Sequence, residues 1–268
     1  MLKSISSLML LVGMLSSGCT HKGEPVTDIE EPVVEVSTRT TAVHAVVVGM
    51  EYSKFAGACP GAALDSGRMY SLLARHANSV ILLQNQNATH FAVKDAIQTA
   101  IERSGTGLFI LYYSGHGGSD PFPDTGMEET DGKDEYLCLY DKYMRDNEIW
   151  GMISKAKGRV LLINDCCHSR TMFMSPSISL TSAMPLGATW NEEGPISMQC
   201  WSGCPDDTFS YGSDSGGHFT NALLRHYKTD MSYEDLWKKI EADAALRVYE
   251  RVQRTIMGKD FSGERAFH

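Results

Sequence analysis

Residues 108–118 read Leu108-Phe-Ile-Leu-Tyr-Tyr-Ser-Gly-His-Gly-Gly118. The first six are a short unbroken apolar run, which fits a central strand buried on both faces; a polar, glycine-rich stretch with no helical period follows at once. Outward from this point the chain alternates short apolar runs with amphipathic stretches. Upstream lie a strand at His44–Gly49, a helix at Asp65–Ala77 with Met69, Leu72 and Leu73 at helical spacing, a strand at Val80–Leu83, and a helix at Thr89–Arg103 capped by Thr89. Downstream, a polar loop containing Gly117, Gly118, Pro121, Pro123 and Gly126 precedes a short helix at Asp146–Ala156 and a fourth strand at Arg159–Asn164. The pattern predicts an α/β fold whose mostly parallel sheet is flanked by helices on both faces.

Beyond the fourth strand, residues 171–194 are rich in Ser, Met and Pro and read as a surface loop. A fifth strand is expected at Ile196–Trp201 and helices at Gly217–Tyr227 and Ser232–Gln253. In the last of these Leu236, Ile240, Ala244 and Val248 form one apolar stripe behind a Ser232 cap. No internal repeat is present.

The chain has 268 residues, 43% of them hydrophobic, and a formal charge of −9. That length suits one well-cored domain with a short appendage. The acidic balance argues against a nucleic-acid partner, which would require a basic face. At the N-terminus Lys3 precedes an apolar run, Ile5 to Leu15, too short to span a bilayer, and Ser16-Ser17-Gly18 lead into Cys19. Residues 1–18 are therefore read as a secretory signal, residues 19–42 as an extended tether, and residues 43–268 as the domain. Small residues directly before Cys19 resemble a bacterial lipobox, though Leu15 stands one position earlier than usual. The resemblance implies lipidation at Cys19 and anchoring in the cell envelope, with simple cleavage as the alternative. The other six cysteines show no familiar framework spacing, and no particular disulfide is expected.

Two stretches, 113–118 and Asn164-Asp-Cys-Cys-His-Ser169, place reactive groups immediately after buried strands. In open parallel sheets that edge binds ligands. Adjacent strand ends would bring an imidazole to a thiol, the arrangement that favours a thiolate. The runs Tyr-Ser-Gly-His-Gly-Gly at 113–118 and Asp-Cys-Cys-His-Ser at 165–169 resemble the metacaspases of the caspase-like superfamily. His116 precedes Cys167 by 51 positions, close to the ~50 typical of caspases. Asp65, the Asp-Gly-Lys-Asp-Glu element at 131–135 and Ser-Gly-Cys-Pro-Asp-Asp at 202–207 extend the resemblance over essentially the whole domain.

The resemblance implies a cysteine endopeptidase with Cys167 as nucleophile, His116 as general base, and the backbone N–H groups of Cys167 and Gly117 as an oxyanion hole. Neighbouring residues at a strand end face opposite ways, so Cys166 is expected to stand aside. Asp165, Asp65 and Ser114 correspond to a pocket for Arg or Lys at P1, where a desolvated cation needs a paired carboxylate. Asp65 is open to a second reading, as a helix N-cap. No cofactor is needed for the chemistry, but the family implies calcium as an activator, with Asp134, Asp146 and Asn147 in the ligand positions. Asn147 stands in for a carboxylate and Met174 for another, and a solvated acidic loop is the alternative. The expected partners are a peptide or protein substrate and, through Cys19, a membrane, with the chain acting as a monomer. A catalytically silent caspase-like domain that binds peptides is the rival function. Between Arg170 and Arg225 there is neither Lys nor Arg. A basic-specific enzyme could then cut itself only elsewhere, at Lys133, Lys142, Arg145 or Arg39.

Overall fold

The computed structural model describes residues 41–120, 134–166, 197–203, 212–247 and 252–268, all within one unit running from Arg39 to His268. Its centre is a six-stranded sheet. The strands are β1 (Val43–Gly49), β2 (Ser79–Gln84), β3 (Leu108–Ser114), β7 (Arg159–Asp165), β8 (Ser197–Ser202) and β11 (Gln253–Gly258), in the order β11-β8-β7-β3-β1-β2. The first five are parallel and β11 runs antiparallel to β8. This is the expected α/β architecture, a mostly parallel sheet flanked by helices on both faces.

Side-chain alternation along β3 divides the core. Phe109, Leu111 and Tyr113 pack on one face with Val93 and Ile97 of α2 (His90–Ser104) and with Ile149 and Met152 of α3 (Asp146–Ile153). Leu108, Ile110 and Tyr112 pack on the other with Met69 and Leu73 of α1 (Ala62–Leu73), Phe219 and Leu223 of α4 (His218–His226), and Leu236 and Ile240 of α5 (Tyr233–Glu241). Two covered faces explain why every residue of β3 is buried and why its sequence lacks an apolar–polar alternation. Thr89 caps α2 by accepting from Ala92 N–H at 3.2 Å, and Ser232 caps α5 by accepting from Asp235 N–H at 3.0 Å.

Three features depart from the sequence expectations. Part of the polar stretch after His116 is a small antiparallel sheet of β4 (Gly117–Asp120), β5 (Asp134–Cys138) and β6 (Tyr143–Arg145). The helix expected from Asp65 starts earlier, at Ala62, behind Gly61 with φ 89°. The long final helix ends at Glu241. Ala244 is exposed rather than part of a buried stripe, and a short α6 (Ala244–Arg247) and β11 follow.

Asp243 makes that break. Its Oδ1 accepts from Ala245 N–H at 2.9 Å and Leu246 N–H at 3.2 Å, while Oδ2 accepts from Arg225 and, at 2.7 Å, from His226. Burial alone would raise its carboxyl, but the bonds from His226, Leu246 N–H and Arg225 outweigh it and hold the group below the usual range. Asp243→Ala, which strands these donors, is expected to cost about 2–3 kcal/mol in urea unfolding.

Candidate active site

Strands β3 and β7 are neighbours in the register Ser114↔Asp165, and Gly115 N–H donates to Asp165 O at 3.3 Å. His116 and Cys167 each stand two residues past that pair. Cys167 itself, Cys19 and Met174 lie outside the described residues. The His116 backbone is clamped from two sides: Cys138 N–H donates to its carbonyl at 3.0 Å, and the Tyr113 hydroxyl lies 2.7 Å from the same oxygen and 3.0 Å from Cys138 O. Burial keeps the Tyr113 phenol protonated, so it remains a donor. The half-exposed His116 ring sits with Nε2 3.3 Å from Ala58 O, in the segment that follows β1. Because His116 and Cys138 form a hydrogen-bonded pair, Gly117 and Leu137 form the alternate kind, which aims Gly117 N–H away from β5.

Period-two alternation sorts the cysteine doublet. Asp165 continues the row of Leu161 and Ile163 towards α1 and α4, whereas Cys166, 1% exposed, packs into the opposite core with Val160 and Leu162. Cys166 is thus enclosed by apolar side chains.

On the α1 and α4 side, three of the residues expected to form a pocket converge. Asp65 Oδ2 accepts from Gly217 N–H at 2.7 Å and from Ser114 Oγ at 3.3 Å. Asp65 is a helix-interior residue, with Gly61 in the N-cap position, which removes the capping alternative. Asp65 Oδ1 is buried and has no hydrogen-bond partner among the described residues. Asp165 Oδ2 accepts from Thr220 N–H at 2.9 Å and Thr220 Oγ1 at 2.7 Å. Two short strands, β9 (Gly212–Ser213) and β10 (Gly216–Gly217), roof the site. A methyl group on Gly216 would come 2.1 Å from Asp65 Oδ1, and one on Gly217 would come 2.1 Å from Asp165 Oδ2. Gly216, at φ 100°, also has a backbone conformation that favours glycine. Arg68 ties this roof to α1 by donating to Ser215 O at 3.1 Å and to Asn221 Oδ1 at 3.0 Å.

The two carboxylates differ in setting. Burial first, and then the Asp165 charge, push the Asp65 carboxyl up to about 7, against the Gly217 and Ser114 hydrogen bonds and the Arg68 charge. The sequence reading missed Gly216, Gly217, Thr220 and Tyr112. The glycine doublet before a helix was the one signal for the roof, and nothing in the sequence marked a helical threonine. Gly217 has φ −69°, which any residue adopts. Gly217→Ala is therefore expected to fold while crowding Asp165, lowering any turnover of peptides with arginine before the scissile bond by about 10-fold or more. Circular dichroism beside peptide turnover checks it.

The acidic stretch divides. Asp141 accepts from His90 N–H at 2.8 Å and Glu148 pairs with His90 Nε2 at 2.8 Å, so both fasten the start of α2. Asp146 and Asn147 open α3, where Asn147 N–H donates to Asp146 Oδ1 at 2.7 Å, and Asp134 begins β5. Among the described residues no group of three or more His, Cys, Asp or Glu side chains is placed to hold a metal ion.

A family model described as the caspase domain matches residues 42–259. The chain belongs to the caspase domain family. It is thus of cysteine-peptidase type. Its fold is similar to the crystal structure of a Geobacter sulfurreducens protein, with 26% identity, a TM-score of 0.66, and coverage of 84% of this chain and 98% of that one. It is also similar to caspase-1 from Spodoptera frugiperda, with 14% identity, a TM-score of 0.53, and coverage of 81% and 86%. No curated protein matches the sequence significantly.

Proposed function

We propose that this chain is an endopeptidase that cleaves after Arg or Lys, with Cys167 as nucleophile and His116 as general base. The convergence of Asp65 and Asp165 under Gly216–Gly217 carries the reading. Two buried carboxylates repel each other and lose solvation, and a P1 guanidinium or ammonium relieves both costs.

In the reaction the Cys167 thiolate attacks the scissile carbonyl. The resulting oxyanion is stabilised by the N–H groups of Cys167 and Gly117. Protonated His116 gives its proton to the leaving amine as the C–N bond breaks, leaving a thioester. Water, deprotonated by His116, then attacks the thioester and releases the acid and the Cys167 thiol. Lipidation at Cys19 would hold the domain at a membrane, a reading supported by residues 15–19 and tested by palmitate labelling of wild type and Cys19→Ala.

Purified protein is expected to turn over fluorogenic P1-Arg and P1-Lys peptides and to leave P1-Asp intact. Hydrolysis of P1-Asp alone would overturn the pocket. Self-digestion is expected to yield no fragment whose new C-terminal residue falls within 171–224, since that span has neither Lys nor Arg. Mass spectrometry of incubated protein tests this.

A further inference from the structure

Behind Asp165 lies a buried hydrogen-bond chain with no part in bond cleavage. Thr220 N–H and Oγ1 both donate to Asp165 Oδ2, at 2.9 and 2.7 Å, and the Tyr112 hydroxyl lies 2.6 Å from Thr220 Oγ1. The hydroxyl hydrogen of Thr220 is committed to an acceptor-only carboxylate, so the phenol must be the donor to Thr220. Tyr112 and Thr220 are both 0% exposed. Burial and the charges of Asp65 and Asp165 keep the phenol protonated. The chain therefore runs one way, from Tyr112 on β3 through Thr220 on α4 to Asp165 on β7.

Thr220 lies in the first turn of α4, whose N-cap residue Gly217 has no side chain to offer. Asp165, more than fifty residues away in sequence, accepts the orphan N–H instead, and the positive end of the nine-residue α4 faces its charge. Asp65 is held in a similar way but through one oxygen. Its Oδ2 accepts from Gly217 N–H and Ser114 Oγ, while Oδ1 is enclosed beneath Gly216 with no hydrogen-bond partner among the described residues.

We infer that Thr220, oriented by Tyr112, is a positioning residue that fixes Asp165 as the standing anion of the pocket, so that Asp65 Oδ1 is the atom that receives the P1 cation. The inference rests on the proposed arginine or lysine pocket and divides the labour within it. Thr220 touches no reacting atom. Its removal loosens Asp165 and weakens capture of charge without impairing the nucleophile.

The test compares full-length wild type, Thr220→Val, Thr220→Ser and Tyr112→Phe. Each is assayed on matched peptides with P1 arginine and P1 citrulline, the uncharged isostere, and for alkylation of Cys167 by iodoacetamide. Thr220→Val is expected to raise KM for P1 arginine about tenfold with kcat little changed, and to lower the arginine over citrulline preference by a similar factor. Thr220→Ser restores both, Tyr112→Phe falls between, and alkylation rates stay equal. Equal losses on both peptides, or no rescue by serine, would show a merely structural threonine and overturn the inference. Wild type with no preference for arginine over citrulline overturns the pocket itself, an outcome visible before any variant is compared.

Discussion

Cys167→Ala is expected to reduce peptide turnover by about 10⁴-fold or more, because no other group can form the thioester. Cys166→Ala should leave turnover close to wild type. The two side chains are adjacent in sequence, yet Cys166 is 1% exposed and packs with Val160 and Leu162 on the α2 and α3 side of the sheet. Truncating it opens a small cavity, expected to cost about 1 kcal/mol. The paired outcome is therefore an inactive, stable variant beside an active, slightly weakened one. Active-site titration together with urea unfolding separates them, and turnover that survives Cys167→Ala would remove the proposed nucleophile.

Asp65→Asn is expected to improve stability while damaging selectivity. In the unfolded chain this carboxyl ionises near 3.8, and in the folded protein near 7. A raised value in the folded state means that the group's contribution to stability is complete below the unfolded value and is lost as pH rises through the folded one. At pH 8 the wild type carries a buried charge in an unfavourable place. Asparagine removes the charge and still offers its carbonyl to Gly217 N–H and Ser114. The variant should gain ~2 kcal/mol, or about 4–8 °C in Tm, at pH 8, with the gain shrinking towards pH 4. Its preference for P1 arginine over citrulline should drop about 100-fold, the effect of deleting one member of a desolvated charge pair. In wild type that preference should climb with pH through about 7 and then level off. The ratio of the two substrates cancels the titration of Cys167 and His116. The groups that face Asp65 are Asp165 from β7, Arg68 from α1, Tyr112 and Ser114 from β3, and Gly217 N–H from the roof. A flat ratio would mean that Asp65 does not meet the cation.

The central strands were legible because β1, β3 and β7 are buried on both faces and carry unbroken apolar runs. Thr89 and Ser232 were legible because a cap is a local bond within three residues. What escaped depends on distant partners. The three strands β4 to β6 are only three to five residues long, too few for a period to emerge. Residues 253–258, Gln-Arg-Thr-Ile-Met-Gly, became a strand by pairing with β8, and Asp243 ended the preceding helix by accepting bonds from α4 and α6. At the site, Ser114 and Asp165 were legible only through the resemblance of the 113–118 and 165–169 runs to the metacaspase motifs. Asp65 was ambiguous because one carboxylate near a helix start suits either a cap or a pocket. Thr220 meets Asp165 from a different element, 55 residues away in sequence, a separation no local pattern reports.

The pocket draws on both sides of residues 171–196. Asp65, Tyr112, Ser114 and Asp165 precede that span, while Gly216, Gly217 and Thr220 follow it, and the β7–β8 register from Arg159↔Ser197 to Asn164↔Ser202 joins the two parts. Divided there into two polypeptides, neither piece holds a complete cation receptor, and discrimination between arginine and citrulline becomes a reporter of their reassembly. The fold thus supplies a template for fragment complementation, in which substrate choice announces that two separate chains have found each other.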